Sequence, residues 1–189
     1  LFWLCHPHNP TGTVFGRDEL LRIAEFVARH RLRVVSDEIW SDLLLDDDHG
    51  GPRHVPFASL DHEQARECIT LVAPSKTWNL AGLGCAAAVC QDQTILKKWR
   101  AAGAGLVPMV NPIGYAAAEA AWRHGEDWRR RLVTVLRHHR ELMQQAVDAI
   151  PGLSCVPAGA TYLSWIDCRN TGVADPQAAC EAAGLGPSN

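Results

Sequence analysis

The sequence predicts an α/β fold built on a mostly parallel sheet. Two observations carry that prediction. An apolar run, a turn-rich stretch, an amphipathic segment and a second apolar run follow one another within residues 1–37. Further short apolar runs then alternate with segments of helical period. The first pattern is a β–α–β unit, and such a unit places its two strands parallel in one sheet. Residues 1–5 (Leu-Phe-Trp-Leu-Cys) read as a buried strand. Residues 6–16 hold Pro7, Pro10, Gly12 and Gly16, and read as turns. In residues 17–30, Leu20, Leu21, Ile23, Ala24, Phe26 and Val27 recur at helical spacing between charges. Residues 32–36 are the next strand, ending at Asp37. Residues 46–54 read as an exposed acidic loop rather than a metal site. Residues 69–73 and 84–90 are two more strands. Helices are expected over 93–102, 113–124 and 126–150, with a broken stretch at 103–112. Pro151-Gly152 stops the last of these helices. The pattern then changes to strands near 153–156 and 161–167, with a helix from Asp175. This change places a domain boundary near 122–130, giving units 1–124 and 125–189.

Composition narrows the function. The 189 residues are 47% hydrophobic and 21% charged, with a net charge of -3. That balance excludes a disordered chain. Asp and Glu (21) outnumber Lys and Arg (18), which argues against a nucleic-acid partner. No window reaches the apolar length of a membrane span, so a soluble protein without a membrane partner is expected. The seven cysteines are odd in number and include no Cys-x-x-Cys pair. They read as small buried hydrophobes in a reducing compartment, with the cytoplasm as the expected location. Residues 1–5 lack the basic flank and cleavage site of a signal peptide.

In open α/β sheets, ligands bind beyond the carboxyl ends of the strands. Here Asn9-Pro10-Thr11-Gly12 follows the first strand, Asp37-Glu38 the second, and Pro74-Ser75-Lys76-Thr77 the third. An amide, a carboxylate and an amine therefore share one rim. A lysine amine can form a Schiff base with an aldehyde cofactor. A carboxylate can keep a pyridinium nitrogen protonated, and an amide can donate to a phenolate-type oxygen. Taken singly, each motif is a common turn, cap or surface pair. Their order and placement are what make the set coherent.

In that order these residues resemble the fold-type I, class I/II aminotransferase superfamily of pyridoxal 5'-phosphate enzymes. The similarity is closest to its bacterial cystathionine β-lyase (C–S lyase) subgroup of MalY/PatB type. It is carried by residues 5–12 (Cys-His-Pro-His-Asn-Pro-Thr-Gly), 37–43 (Asp-Glu-Ile-Trp-Ser-Asp-Leu), 54–60 (His-Val-Pro-Phe-Ala-Ser-Leu), 73–83 around Ser75-Lys76, and 161–169 (Thr-Tyr-Leu-Ser-Trp-Ile-Asp-Cys-Arg). The resemblance implies a three-layer α/β/α large domain with mostly parallel strands, followed by the start of a smaller α+β domain. Lys76 would be the Schiff-base lysine and the base at the substrate α-carbon, a task that needs a partly unprotonated amine. Asp37 would pair with the pyridinium nitrogen, Asn9 would bond the 3-oxygen, and Ser75 would reach the phosphate. Trp40 stands where the superfamily commonly has Tyr and the subgroup often has His. It either helps position the cofactor or packs, and packing is the preferred reading. Ala73 and Gly84 replace residues that many relatives use to anchor phosphate.

The activity implied is β-elimination from a sulfur amino acid, giving a thiol, pyruvate and ammonia. Amino-group transfer to a 2-oxo acid is the alternative, and a non-catalytic effector domain or inactive fragment is the second alternative. A homodimer is expected by analogy. Family members are about twice this length, so the chain reads as a central fragment that binds the cofactor poorly on its own. His54 reads as a structural or solvated loop residue, and His138-His139 as an exposed face. Trp78, Trp122, Trp128 and Trp165 read as core or interface residues. Arg169 is not assigned as a carboxylate clamp.

Overall fold

The computed structural model describes residues 1–187. Its main sheet runs β1 (Phe2–Cys5), β2 (Val34–Asp37), β3 (Ile69–Val72) and β4 (Ala87–Val89), in that spatial order. β1 and β2 are parallel with Cys5 opposite Asp37, and β2 and β3 are parallel with Asp37 opposite Leu71. β4 joins antiparallel to β3. The carboxyl ends of β1, β2 and β3 therefore lie side by side.

The β1–β2 crossover is α1 (Arg17–Arg29). Gly16 opens it, and the Gly16 N–H donates to the Glu19 carboxylate at 2.8 Å. α1 buries Leu20, Ala24 and Val27 against Leu4, Val34, Phe57, Leu60, Ala65 and Cys68. Successive strand residues face opposite sides of a sheet. Val34 accordingly joins this cluster, whereas Val35 packs on the other face with Ile69 and Cys90. Ile95 and Leu96 of α3 (Gln93–Gly103) cover that second face. Helices thus lie on both faces of an α/β sheet.

A short helix, α2 (Glu63–Arg66), precedes β3 and is absent from the sequence prediction. Four residues give too little period to register, although His62 caps it by accepting from the Gln64 N–H. α4 (Pro112–His124) begins at Pro112 behind an Asn111 cap. α5 (Glu126–Asp148) follows at Gly125. Its Val133 packs with Trp40 and Leu43, flanked by Ile39, Leu132, Leu136 and Leu163. The second half adds a two-stranded antiparallel ribbon of β5 (Ser154–Cys155) and β6 (Ile166–Asp167), then α6 (Pro176–Ala182).

Two strand expectations are corrected. Residues 84–90 shorten to Ala87–Val89, because Gly84 has φ +57° and closes a helical turn over Ala81–Leu83. Residues 161–167 shorten to Ile166–Asp167. Thr161 has φ +73°, and its hydroxyl accepts from the Leu163 N–H at 3.1 Å, so this stretch turns rather than extends. The cysteines are free, but only Cys68 and Cys90 are buried and the other five are partly so.

Candidate functional site

Asn9, Asp37 and Lys76 each lie at or shortly after the end of a strand. Asn9 sits in the loop after β1. His8 N–H donates to Thr13 C=O at 2.8 Å, and Gly12 N–H donates to His8 C=O at 2.7 Å, so the loop closes on itself. Asn9 is exposed at its tip. Gly12 has φ +67°, and a Cβ there would lie 2.5 Å from the Ala160 carbonyl. The Gly12 carbonyl also accepts the Gly159 and Ala160 N–H groups, both at 3.1 Å. Glycine is needed at position 12 for the positive φ and for this close approach.

Asp37 ends β2 half-buried, its Oδ1 accepting from the Ile39 N–H at 3.3 Å. Lys76 and Ser75 lie in a turn after β3, pinned by Trp78 N–H to Pro74 C=O and Leu80 N–H to Ser75 C=O, each 3.0 Å. Two indoles, one within the turn and one from α5, hold it in place. Trp78 Nε1 donates to the Gly125 carbonyl at 2.9 Å, and Trp128 Nε1 donates to the Thr77 carbonyl at 3.2 Å. These bonds fasten the Lys76 turn to the α4–α5 junction, in keeping with an interface rather than a stacking role for both tryptophans. Thr77 is fully buried and its hydroxyl has no partner among the described residues.

Trp40 is 2% exposed and belongs to the core under α5, as the packing reading expects. It also meets the site, because its ring centroid lies 5.6 Å from Lys76 Nζ. Tyr162 packs edge-on against it, with centroids 4.7 Å apart and an interplanar angle of 74°. Sequence reasoning gave Tyr162 no role. Its signal was there, in the Thr-Tyr-Leu stretch, but only the fold brings that stretch next to Trp40.

Glu38 and His54 form a second arrangement that sequence reasoning missed. Glu38 follows Asp37 and points to the opposite face. It is 2% exposed. Its carboxylate accepts from Ser36 Oγ at 2.8 Å and the Phe57 N–H at 3.0 Å, and pairs with His54 Nε2 at 2.7 Å. His54 therefore takes the structural of the two expected readings, held by a buried carboxylate rather than by solvent. His6 stacks on it with centroids 4.5 Å apart. Burial, with the His54 charge as the next cause, pushes the fully buried His6 down to about 4. His6 is neutral near pH 7, with Nε2 bonded to the Val55 carbonyl and Nδ1 accepting from the Phe15 N–H. This network braces the end of β2 from behind, whereas Asp37 faces the rim.

The acidic loop is another correction. Asp46 is not simply solvated, because Arg140 grips it through two bonds of 2.6 and 2.9 Å. Among the described residues no group of three or more metal-binding side chains occurs. Arg169 pairs with its own neighbour Asp167 and is exposed. His138 and His139 are exposed, as expected.

Comparison with known proteins agrees with this geometry. Residues 1–183 match the family Aminotransferase class I and II. The cystathionine β-lyase PatB of Bacillus subtilis is 36% identical over 182 residues, which is 94% of this chain and 45% of PatB. The crystal structure of OvoB superposes with a TM-score of 0.92 at 44% identity, covering 97% of this chain and 48% of that one. Cystalysin of Treponema denticola, whose crystal structure contains pyridoxal 5'-phosphate, gives a TM-score of 0.87 at 29% identity, covering 97% of this chain and 47% of that one. The chain spans about half the length of the curated relatives it matches. With its sheet, its Lys76 turn and this match along nearly its whole length, the chain belongs to the class I and II aminotransferase family.

Proposed function

We propose that the protein carrying this chain is a pyridoxal 5'-phosphate-dependent C–S β-lyase of amino-acid metabolism. It would cleave a sulfur amino acid to a thiol, pyruvate and ammonia. The observation that carries the reading is the convergence of Asn9, Asp37 and Lys76 beyond three adjacent strands. These residue types fit the cofactor: an amine for its aldehyde, a half-buried carboxylate for its ring nitrogen and an exposed amide for its 3-oxygen. The unpartnered Thr77 hydroxyl beside Lys76 supplies a further buried polar atom at this place.

When bound, the cofactor supplies an electron sink for charge developing at the substrate α-carbon. Lys76 holds the cofactor aldehyde and moves the proton at the α-carbon. Asp37 keeps a proton on the ring nitrogen. Asn9 donates to the 3-oxygen, and Ser75 offers its hydroxyl to the phosphate. Trp40 walls the site beside Lys76 and keeps water from that side. Relatives named as cystathionine β-lyases favour elimination over amino transfer. Amino transfer to a 2-oxo acid uses the same three residues and is the second reading, favoured by the family description.

The test is β-elimination from cystathionine by the full-length gene product. Pyruvate is expected to appear without any keto-acid acceptor, and Lys76→Ala should lower its rate by at least about 10²-fold. Strict dependence on 2-oxoglutarate with no pyruvate would establish the transferase instead. Failure of borohydride to label Lys76 with cofactor present would leave the non-catalytic reading. The same proposal takes residues 1–124 as cofactor-domain sequence and 125–189 as the start of a smaller domain. It places a homodimer in the cytoplasm, with a small-molecule substrate and no nucleic-acid or membrane partner. In support, no helix among the described residues is long and apolar enough to cross a membrane.

A further inference from the structure

We propose that Trp40 and Tyr162 form an aromatic clamp on the Lys76 amine, with Tyr162 a positioning residue that acts through Trp40. The inference rests on the reading of Lys76 given above. Lys76 Nζ lies 5.6 Å from the Trp40 ring centroid, within the range of a cation–π contact. The face of an indole carries negative charge density, and tryptophan is the strongest aromatic partner for an ammonium. At 2% exposure, Trp40 offers that face with little competition from water. Among the described residues the Lys76 ammonium has no ion pair or hydrogen bond, so the indole is the group that faces its charge. A phenol or imidazole at position 40 would offer an atom that can bond hydrogen both ways. Indole N–H only donates, which leaves the ring face as the attractive surface for a cation.

The plane of Trp40 is set from the second half of the chain. Tyr162 meets it edge-on at 4.7 Å. Tyr162 is presented by Thr161, a buried β-branched residue at φ +73°. Such a residue adopts that conformation only where its surroundings impose it. Here the Thr161 N–H donates to Leu43 C=O at 2.9 Å, and Ala160 bridges Leu44. Leu43 N–H in turn donates to Trp40 C=O at 3.0 Å. One short backbone path therefore fixes Tyr162 relative to Trp40. When Lys76 is not bonded to the cofactor, its amine is held over the indole instead of swinging free.

The test uses the cofactor-free, full-length gene product. Lys76 is acetylated with acetic anhydride at one fixed pH, and peptide mass spectrometry gives its rate relative to the exposed Lys97 and Lys98. Loss of the clamp frees the Lys76 side chain to meet the reagent. Tyr162→Leu and Trp40→Phe should each raise the Lys76 ratio by about threefold or more. Tyr162→Phe keeps the ring that meets Trp40 and should give the parent ratio. Tyr162 is 49% exposed, so its variants are expected to fold, with far-UV circular dichroism as the check. Parent ratios in both Tyr162→Leu and Trp40→Phe would overturn the clamp. Borohydride labelling of Lys76 is scored separately. Its failure counts against the functional reading, while the acetylation ratio still decides the clamp.

Discussion

His6 links acidity to stability through one buried ring. In the folded chain it is neutral, held down at about 4 by burial and the neighbouring His54. Its ordinary value is 6.5. As pH falls below that value, the unfolded chain takes up a proton that the folded chain still refuses. Stability is therefore whole above pH 6.5 and is lost as pH falls through the window down to about 4. The loss should approach about 3 kcal/mol. His6→Asn removes the titrating ring while keeping a donor and an acceptor. Its melting temperature should be lower than the parent's at pH 7 and fall less between pH 7 and 4. Parallel parent and variant curves over that window would refute the assignment. At this scale the sequence was partly legible. Asn9, Asp37 and Lys76 each occur in a turn motif at a strand end, so residue type and order located them. Glu38, His54 and Tyr162 were not legible, because each gains its meaning from a partner distant in sequence. Nothing in His54 alone says that a buried carboxylate lies 2.7 Å away.

Between elements, the link most open to test joins α5 to the loop after β2. Arg140 bonds Asp46 through both nitrogens and also donates to the Ala158 carbonyl at 2.9 Å. Arg137 donates to the Leu45 carbonyl at 2.8 Å and to Asp48 at 2.6 Å. The loop, the helix and the turn before Tyr162 are thus held at one place. The guanidinium of Arg140 keeps the Asp46 carboxyl below its usual range. Its stabilising effect is present above the ordinary aspartate value and is lost as pH falls below it. Asp46→Asn should cost about 1–2 kcal/mol at low ionic strength, measured by urea unfolding at pH 7. The cost should shrink in 1 M salt, where exposed charges are screened. An unchanged midpoint at low salt would show that the loop is held by backbone contacts alone. The helices were legible element by element, since α1, α3, α4 and α5 carry clear period and stops. The strands were less so. Aromatic and β-branched residues over 161–167 look like a strand, but Thr161 at positive φ turns the chain. The antiparallel sense of β4 left no mark in composition, because a three-residue strand carries no direction.

Across the whole molecule, the α/β class followed from the order of apolar runs, and the sheet follows that order strand by strand. What the runs could not show is which surfaces remain apolar once the chain has folded. Met109 is 90% exposed, and Leu106, Val107, Ile113 and Tyr115 are exposed around it in sequence. Trp122 and Trp128, further along α4 and α5, are exposed as well. Exposed side chains of this size suit a contact with a further part of the protein or with a second copy. The proposed homodimer assigns a second copy to it. Burying Leu106 and Met109 there would contribute roughly 1.5–3 kcal/mol for each fully covered side chain. A charge placed among them would instead have to be desolvated on association. Leu106→Glu and Met109→Asp in the full-length gene product should therefore shift its mass from dimer towards monomer, read by light scattering over a dilution series. A parent-like dimer in both variants would place the subunit contact elsewhere on the molecule.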